Sequence, residues 1–256
     1  MIPRHCTALM KSNSRLAVLF TTLLLIVAGK AKGAVVVNIE AKASFVGAYS
    51  GQGAYADPGN NSWNSFRYIS GGSSLLASNG TPTSLSFSGT AVNGGPDAGF
   101  GGPDNGLLLA DYWYVYGRNV GTFTVGGLTS GNAYSVYVYS QAGSSGATDR
   151  AATITLGSAS QNLTGLAGAG GSLVAGQNYV VFNISSLSGT SLNGTFATLT
   201  GSGEAELNGL QIVDLGPGSG GSSSTVPDAS TSGWLVGLAL LGCAAGQRRL
   251  RAAVRS

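Results

Sequence analysis

The stretch Leu128–Ser140, which reads LTSGNAYSVYVYS, decides the fold class of this 256-residue chain. Its apolar side chains alternate between the two sides of an extended chain: Tyr134, Val136 and Val138 on one, Tyr137 and Tyr139 on the other. A period of two is typical of a strand with one buried face. Ser130-Gly131-Asn132, just before it, has the composition of a turn. The stretch therefore predicts a tight turn that leads into a half-buried strand.

Eight further short apolar runs have this character, and clusters of Gly, Ser, Asn and Pro separate them. These runs are Val35–Val46, Leu85–Phe87, Leu107–Tyr116, Thr122–Val125, Ala151–Leu156, Tyr179–Ile184, Thr195–Leu199 and Leu207–Leu215. No sustained helical period occurs between residues 34 and 215. The pattern predicts an all-β domain over residues 34–215, an antiparallel β-sandwich or jelly roll of about eight or nine strands.

Two of these segments resemble parts of known sandwich families. Leu128–Val136 resembles the Leu-x-x-Gly-x-x-Tyr corner of fibronectin type III and galactose-binding-like domains, and Leu207–Val213 is similar to the last strand of galactose-binding-like modules. The first resemblance implies that Tyr134 packs inward and that its hydroxyl bonds back to the preceding turn.

The first 33 residues have the layout of a secretory signal peptide. Basic residues precede the apolar run Leu16–Ala28, and small residues follow it up to Ala34. This order predicts a signal helix, export through the Sec machinery and cleavage between Ala28 and Ala34.

The C-terminal end has three parts after a Gly/Ser linker at residues 216–225. The sequence Val226-Pro227-Asp228 is followed by an apolar run, Trp234–Ala245, and then by clustered arginines. These arginines are Arg248, Arg249, Arg251 and Arg255. An apolar segment with such an end is expected to enter a bilayer as a helix and to keep the arginines on the cytoplasmic side. The 17 residues from Ser230 to Gly246 are at the short end of what spans a hydrocarbon core.

This tail, residues 226–256, resembles the PEP-CTERM class of sorting signals, and most closely its VPDSG-CTERM variant. The chain departs from the variant at Ala229-Ser230, where the variant has Ser-Gly. The resemblance implies a membrane-embedded exosortase as partner and processing near Val226-Pro227-Asp228. It also implies a transient inner-membrane span with a cytoplasmic C-terminus, followed by transfer to the cell surface or extracellular matrix, among exopolysaccharide. The alternative is an ordinary C-terminal membrane anchor.

The net charge of +3 belongs to the two ends, because residues 34–225 hold four basic and nine acidic side chains. An acidic domain argues against nucleic-acid binding, which depends on Lys and Arg contacts to phosphate. His5, Cys6 and Cys243 all lie in the targeting segments. The domain between them therefore has no Ser-His-Asp or Cys-His nucleophile system and no histidine-ligated zinc. A non-enzymatic protein is expected.

The segment Gly51–Phe66 is predicted to be a long loop and is a candidate ligand site. It brings together candidate glycan-binding and calcium-binding residues: Tyr55, Asp57, Asn60, Asn61 and Trp63. Carboxylate and amide oxygens bind calcium, and aromatic faces stack on sugar rings. A carbohydrate-binding module, with calcium as its one candidate cofactor, is the alternative function. The competing interpretation is an ordinary turn at Asp57–Asn60, with Trp63 and Phe66 closing the end of the sandwich.

Three other features are weaker candidates. Asp97 and Asp104 lie in two similar Gly-Pro-Asp turns seven residues apart, and these carboxylates are possible calcium ligands. Trp113 belongs to an aromatic stretch, Asp111–Tyr116, in which an outward row of rings would be a sugar platform and an inward row would be core. Glu204 and Glu206 form the carboxylate pair that a glycosidase requires, although a solvated strand start is the simpler interpretation.

Overall fold

The computed structural model describes residues 34–42, 49–67, 70–96, 108–141, 150–165 and 172–218. Within these ranges there are fourteen strands. They are β1 (Val35–Lys42), β2 (Trp63–Arg67), β3 (Gly72–Ser73), β4 (Ser86–Thr90), β5 (Asn93–Pro96), β6 (Asp111–Tyr116), β7 (Val120–Gly126), β8 (Asn132–Tyr139), β9 (Ala152–Leu156), β10 (Ala159–Leu163), β11 (Tyr179–Ile184), β12 (Ser191–Thr198), β13 (Glu204–Leu207) and β14 (Gly209–Pro217). The predicted all-β class is confirmed.

Both predicted helices, the signal helix and the C-terminal hydrophobic helix, lie outside the described residues. In the part of the chain that is described, no helix has the length and apolar character needed to cross a membrane.

The strands form three sheets in a sandwich-like arrangement. One has five strands in the order β11-β8-β14-β1-β2, the second has six in the order β10-β9-β12-β7-β4-β3, and the third has three in the order β13-β6-β5. Almost all neighbouring strands are antiparallel, as predicted. The pair β1–β2 is parallel, with Asn38 opposite Trp63, and this differs from the purely antiparallel prediction.

The main core lies between the inner faces of these sheets. The five-stranded sheet contributes one of the two predicted faces of β8, namely Tyr134, Val136 and Val138. The six-stranded sheet contributes aromatic and β-branched residues such as Phe87, Phe123, Ile154 and Phe196. Because side chains alternate along a strand, the other face of each sheet is left for loops or solvent.

The predicted tyrosine corner is present. Tyr134 is buried, and the backbone N–H of Thr129 donates to its hydroxyl at 2.9 Å. Gly131 lies in the turn with a φ of +85°, a backbone angle that residues other than glycine rarely adopt. Leu128 is also buried, so both ends of the motif are fixed by packing.

The single predicted strand Leu207–Leu215 is interrupted at Asn208, which lies between β13 and β14. The Asn208 side chain donates to the backbone oxygens of Leu109 and Asp111 and accepts from the N–H of Gln141 at 2.7 Å. These bonds stabilise the interruption at Asn208. Before it, β13 belongs to the three-stranded sheet, and after it, β14 belongs to the five-stranded sheet. The nine predicted strands exist, and β2, β3, β5, β10 and β13 are additional to the prediction because they are short or polar.

Candidate ligand-binding surfaces

The segment predicted to be an open loop, Gly51–Phe66, is folded back on itself, and its last part belongs to β2. The Gln52 side chain accepts from the N–H of Asp57 at 2.7 Å and donates to the oxygen of Asp57 at 3.1 Å. It also donates to the side-chain oxygen of Asn61. The side-chain amide of Gln52 therefore joins the start of the loop to Asn61, nine positions further along the chain.

Asp57 is held as part of a turn. The N–H of Asn60 donates to the Asp57 backbone oxygen at 3.0 Å, and Gly59 has a φ of +82°, as the Pro-Gly pair of such a turn requires. Its carboxylate accepts hydrogen bonds from the side chains of Asn60 and Ser78, one on each oxygen. These contacts agree with the turn interpretation of Asp57–Asn60.

Trp63 begins β2, an edge strand of the five-stranded sheet, and its ring lies on the outer face of that sheet. Its ring centroid is 4.9 Å from that of Tyr49 and 6.3 Å from that of Tyr139, and its Nε1 donates to the oxygen of Gly51 at 3.0 Å. Tyr49, Tyr139, Leu108 and Leu109 form a second buried cluster beneath it. The loop therefore covers an apolar core of its own, which the sequence pattern did not predict.

A buried amide, Gln211, fastens this loop to the sheet. Its Oε1 accepts from the hydroxyl of Tyr139 and from the N–H of Tyr55, and its Nε2 donates to Asn38 and to the oxygen of Tyr55. Gly53 lies directly over this amide, and a Cβ at that position would be 2.2 Å from the Gln211 side chain. Burial raises the pKa of the Tyr139 hydroxyl well above its usual value.

Trp113 does not lie on a ligand-facing surface. Its side chain is fully buried, its ring stacks on Phe87 at 5.6 Å, and its Nε1 donates to the oxygen of Lys42 at 3.0 Å. The interpretation of Trp113 as a sugar-stacking residue is therefore wrong, because the ring is on the inward face of β6.

The outward face of β6 carries a row of tyrosines instead. The ring centroids of Tyr112 and Tyr114 are 6.1 Å apart, and those of Tyr114 and Tyr116 are 6.3 Å apart. Exposure increases along the row, from 7% at Tyr112 to 50% at Tyr116. The sequence predicted that alternate members of this stretch face outward, and the register of the strand selects the tyrosines.

Glu204 and Glu206 share a face of β13 and are both bound by Arg150. Nη1 of Arg150 lies 2.8 Å from Glu206 Oε1 and also contacts Glu204 Oε2. Glu206 is fully buried, so the prediction of a solvated acidic strand start is wrong for this residue. One guanidinium fixes both carboxylates side by side, next to Tyr114 and Tyr116 on the neighbouring strand.

A second buried carboxylate, Glu40, lies on β1 beside the loop. Its Oε2 accepts from the hydroxyl of Ser65 at 2.5 Å and from the N–H of Tyr49, and Nζ of Lys42 is 3.7 Å away. Burial raises the pKa of Glu40 more than the Ser65 hydrogen bond and the Lys42 charge lower it. Sequence patterning missed this group, because it predicted β1 as an ordinary apolar strand.

A cavity of about 300 Å³ lies at the start of β1, lined among others by Val35, Leu85, Tyr134 and Asp214. The Asp214 carboxylate in this lining already accepts hydrogen bonds within the protein. Asn132 Nδ2 lies 2.9 Å from Asp214 Oδ1, and the backbone nitrogen of Gly216 lies 2.8 Å from the same oxygen. The cavity thus adjoins the tyrosine corner and its supporting bonds.

The remaining predicted residues lie outside the described ranges. They are Asp97, Asp104, Val226, Pro227, Asp228, Arg248, Arg249 and Arg251. Among the residues that are described, no group of three or more His, Cys, Asp or Glu side chains is close enough to hold a metal ion.

Comparison with known proteins gives distant structural likenesses only. No protein-family description and no curated protein matches the chain. The chain is similar to exo-β-1,3-galactanase from Phanerochaete chrysosporium at 19% identity and a TM-score of 0.29, over 54% of this chain and 32% of that one. It is also similar to a chain in the complex of plant peptide RALF23 with FER and LLG2, at 11% identity and a TM-score of 0.34 over 75% and 42%.

A third likeness is to the enzymatically active domain of bacteriophage CBA120 tailspike protein 4, at 12% identity and a TM-score of 0.23. The chain spans less than half of the length of each of these three structures.

Proposed function

We propose that this chain is an exported, non-enzymatic β-sandwich protein of the cell surface or extracellular matrix. The Sec machinery delivers it, and an exosortase-type membrane enzyme processes it near Val226-Pro227-Asp228. The released domain is retained among exopolysaccharide.

The observation that carries this proposal is the order of three segments in the tail: the Pro-acid sequence, the apolar run Trp234–Ala245 and the arginine cluster. The arginines resist transfer across a bilayer, so the segment is held while a membrane enzyme acts on the outer side. The predicted Gly/Ser linker begins in the structure only after Pro217, where β14 ends, and Gly/Ser composition of this kind lets an enzyme reach the site beyond it without unfolding the domain.

The arrangement of polar groups in the domain supports a non-enzymatic role. The one carboxylate pair considered for glycoside hydrolysis, Glu204 and Glu206, is bound on one side by Arg150. Glycosidases need two carboxyl groups that flank the scissile bond, with room for the sugar between them. Two neighbours on one strand that share a guanidinium do not have that arrangement.

Mass spectrometry of the protein released at the surface tests the proposal. The expected C-terminus lies within residues 225–230, and an Asp228→Asn, Pro227→Ala variant should accumulate uncut in the membrane fraction. Recovery of intact chain through Arg251 from the released fraction would contradict processing.

A further inference from the structure

The outer face of the three-stranded sheet has the features of a binding surface. Its exposed part consists of Tyr114 and Tyr116 on β6 and of Glu204 with its partner Arg150, and we call it the tyrosine face. Tyr116 is directly opposite Glu204 in the register of β6 and β13. Directly opposed residues have Cβ atoms about 5 Å apart, so the rings and the charged pair are neighbours.

We propose that the tyrosine face binds a neutral glycan chain. The ring centroids of Tyr114 and Tyr116 are 6.3 Å apart, which is comparable to the length of one sugar unit, so two successive units can meet the two rings. The planes of these two rings are inclined by 39° to each other. A surface twisted in this way fits a single soluble chain better than a flat crystalline face.

Arg150 provides the hydrogen-bonding edge of this face. Buried Glu206 holds its Nη1, and this nitrogen also binds Glu204. Both bonds use Nη1, so within the described part of the chain Nε and Nη2 remain as donors for sugar hydroxyls. The Glu204 side chain is 31% exposed and provides acceptor oxygens beside Tyr116.

The charge of the domain selects the class of glycan. Residues 34–225 carry nine acidic and four basic side chains, and the guanidinium at this face is already paired with two carboxylates. A polyuronate would be repelled by such a domain, whereas a neutral polysaccharide would not. This inference rests on the proposed retention among exopolysaccharide and specifies the surface responsible.

The test is affinity electrophoresis of the full-length chain in mild detergent, through gels that contain hydroxyethylcellulose, laminarin, dextran or alginate. Retardation by at least one neutral glycan is expected. The Tyr116→Ala substitution should lower the affinity derived from it about tenfold, the effect of losing one stacked ring. Arg150→Lys should weaken it less. Val120→Ala removes an equally exposed apolar side chain from β7 and is the matched control, with unchanged retardation expected.

Two outcomes would overturn the proposal: no retardation by any neutral glycan, whether or not alginate retards the chain, or equal retardation of Tyr116→Ala and the wild type. Tyr116 is half exposed, so its variant is expected to fold, and circular dichroism of each variant verifies this. Processing of the tail is measured separately by mass, so a failure of glycan binding and a failure of sorting give different results.

Discussion

The hydroxyl of Tyr139 donates a hydrogen bond to Oε1 of Gln211, and the two side chains lie on neighbouring strands of the five-stranded sheet. Both are almost completely buried. Their bond lies under the segment Gly51–Phe66, and the backbone of Tyr55 bonds to the same amide. The loop that the sequence offers as a ligand site is therefore anchored to the sheet from below.

Replacing Gln211 with Leu should lower the free energy of unfolding by about 1–3 kcal/mol, because the buried Tyr139 hydroxyl and the partly buried Tyr55 N–H lose their acceptor. Urea denaturation followed by fluorescence measures the change. Gln177→Leu, at a partly exposed turn, is the control and should have a much smaller effect. Equal stability of the Gln211 variant and wild type would contradict the role of this anchor.

Replacing Gly53 with Ala should also destabilise the protein, by roughly 1–3 kcal/mol, because a Cβ at this position would overlap the Gln211 side chain. Gly189→Ala is the matched control, since nothing lies within 4 Å of its Cβ position. Thermal unfolding of both variants distinguishes the crowded glycine from the open one, and an identical shift in the two would refute the argument.

Replacing Tyr134 with Phe removes the hydroxyl that accepts from the N–H of Thr129, and should cost about 1–2 kcal/mol of stability. Tyr116→Phe is the control, because that hydroxyl is on an exposed side chain. Chemical denaturation provides the comparison. The prediction fails if the two variants are equally stable.

The stability of the protein should depend on pH through Glu40. Its pKa in the folded protein is raised above 4.5, so the folded state binds the proton more tightly than the unfolded chain does. The contribution of Glu40 to stability is therefore fully present below pH 4.5 and is lost as the pH rises through the raised pKa.

A Glu40→Gln variant removes this titration and should be less sensitive to pH across that window than the wild type. Denaturation midpoints measured from pH 4 to pH 8 test this, with Glu204→Gln as a partly exposed control. Parallel pH profiles for Glu40→Gln and wild type would rule out the assignment.

Replacing Arg248, Arg249 and Arg251 with Ser should reduce retention in the membrane, because the basic end would no longer resist transfer across the bilayer. Fractionation of cells that express the variant measures the membrane-bound share. Replacing the same residues with Lys keeps the charge and should preserve retention; a similar loss in both variants would show that charge is not the determinant.

Trp63→Ala is a poor test of glycan binding, because the ring packs on Tyr49 and Tyr139 and its loss would disturb the loop itself. Tyr116→Ala separates binding from folding better, since half of that side chain is already in solvent.

The sequence by itself determined the all-β class, the nine main strands and the tyrosine corner at Tyr134, because alternation and turn chemistry are local properties of neighbouring residues. Only the tertiary structure decided which face of each strand is buried and what covers it. Trp113 lies inside because its side of β6 faces the main core, and Tyr116 lies outside because the other side of β6 is open at the end of the strand. Arg150 joins two glutamates from more than fifty positions away in the chain. Contacts of that kind depend on how sheets pair and stack, and no local pattern of residues encodes them.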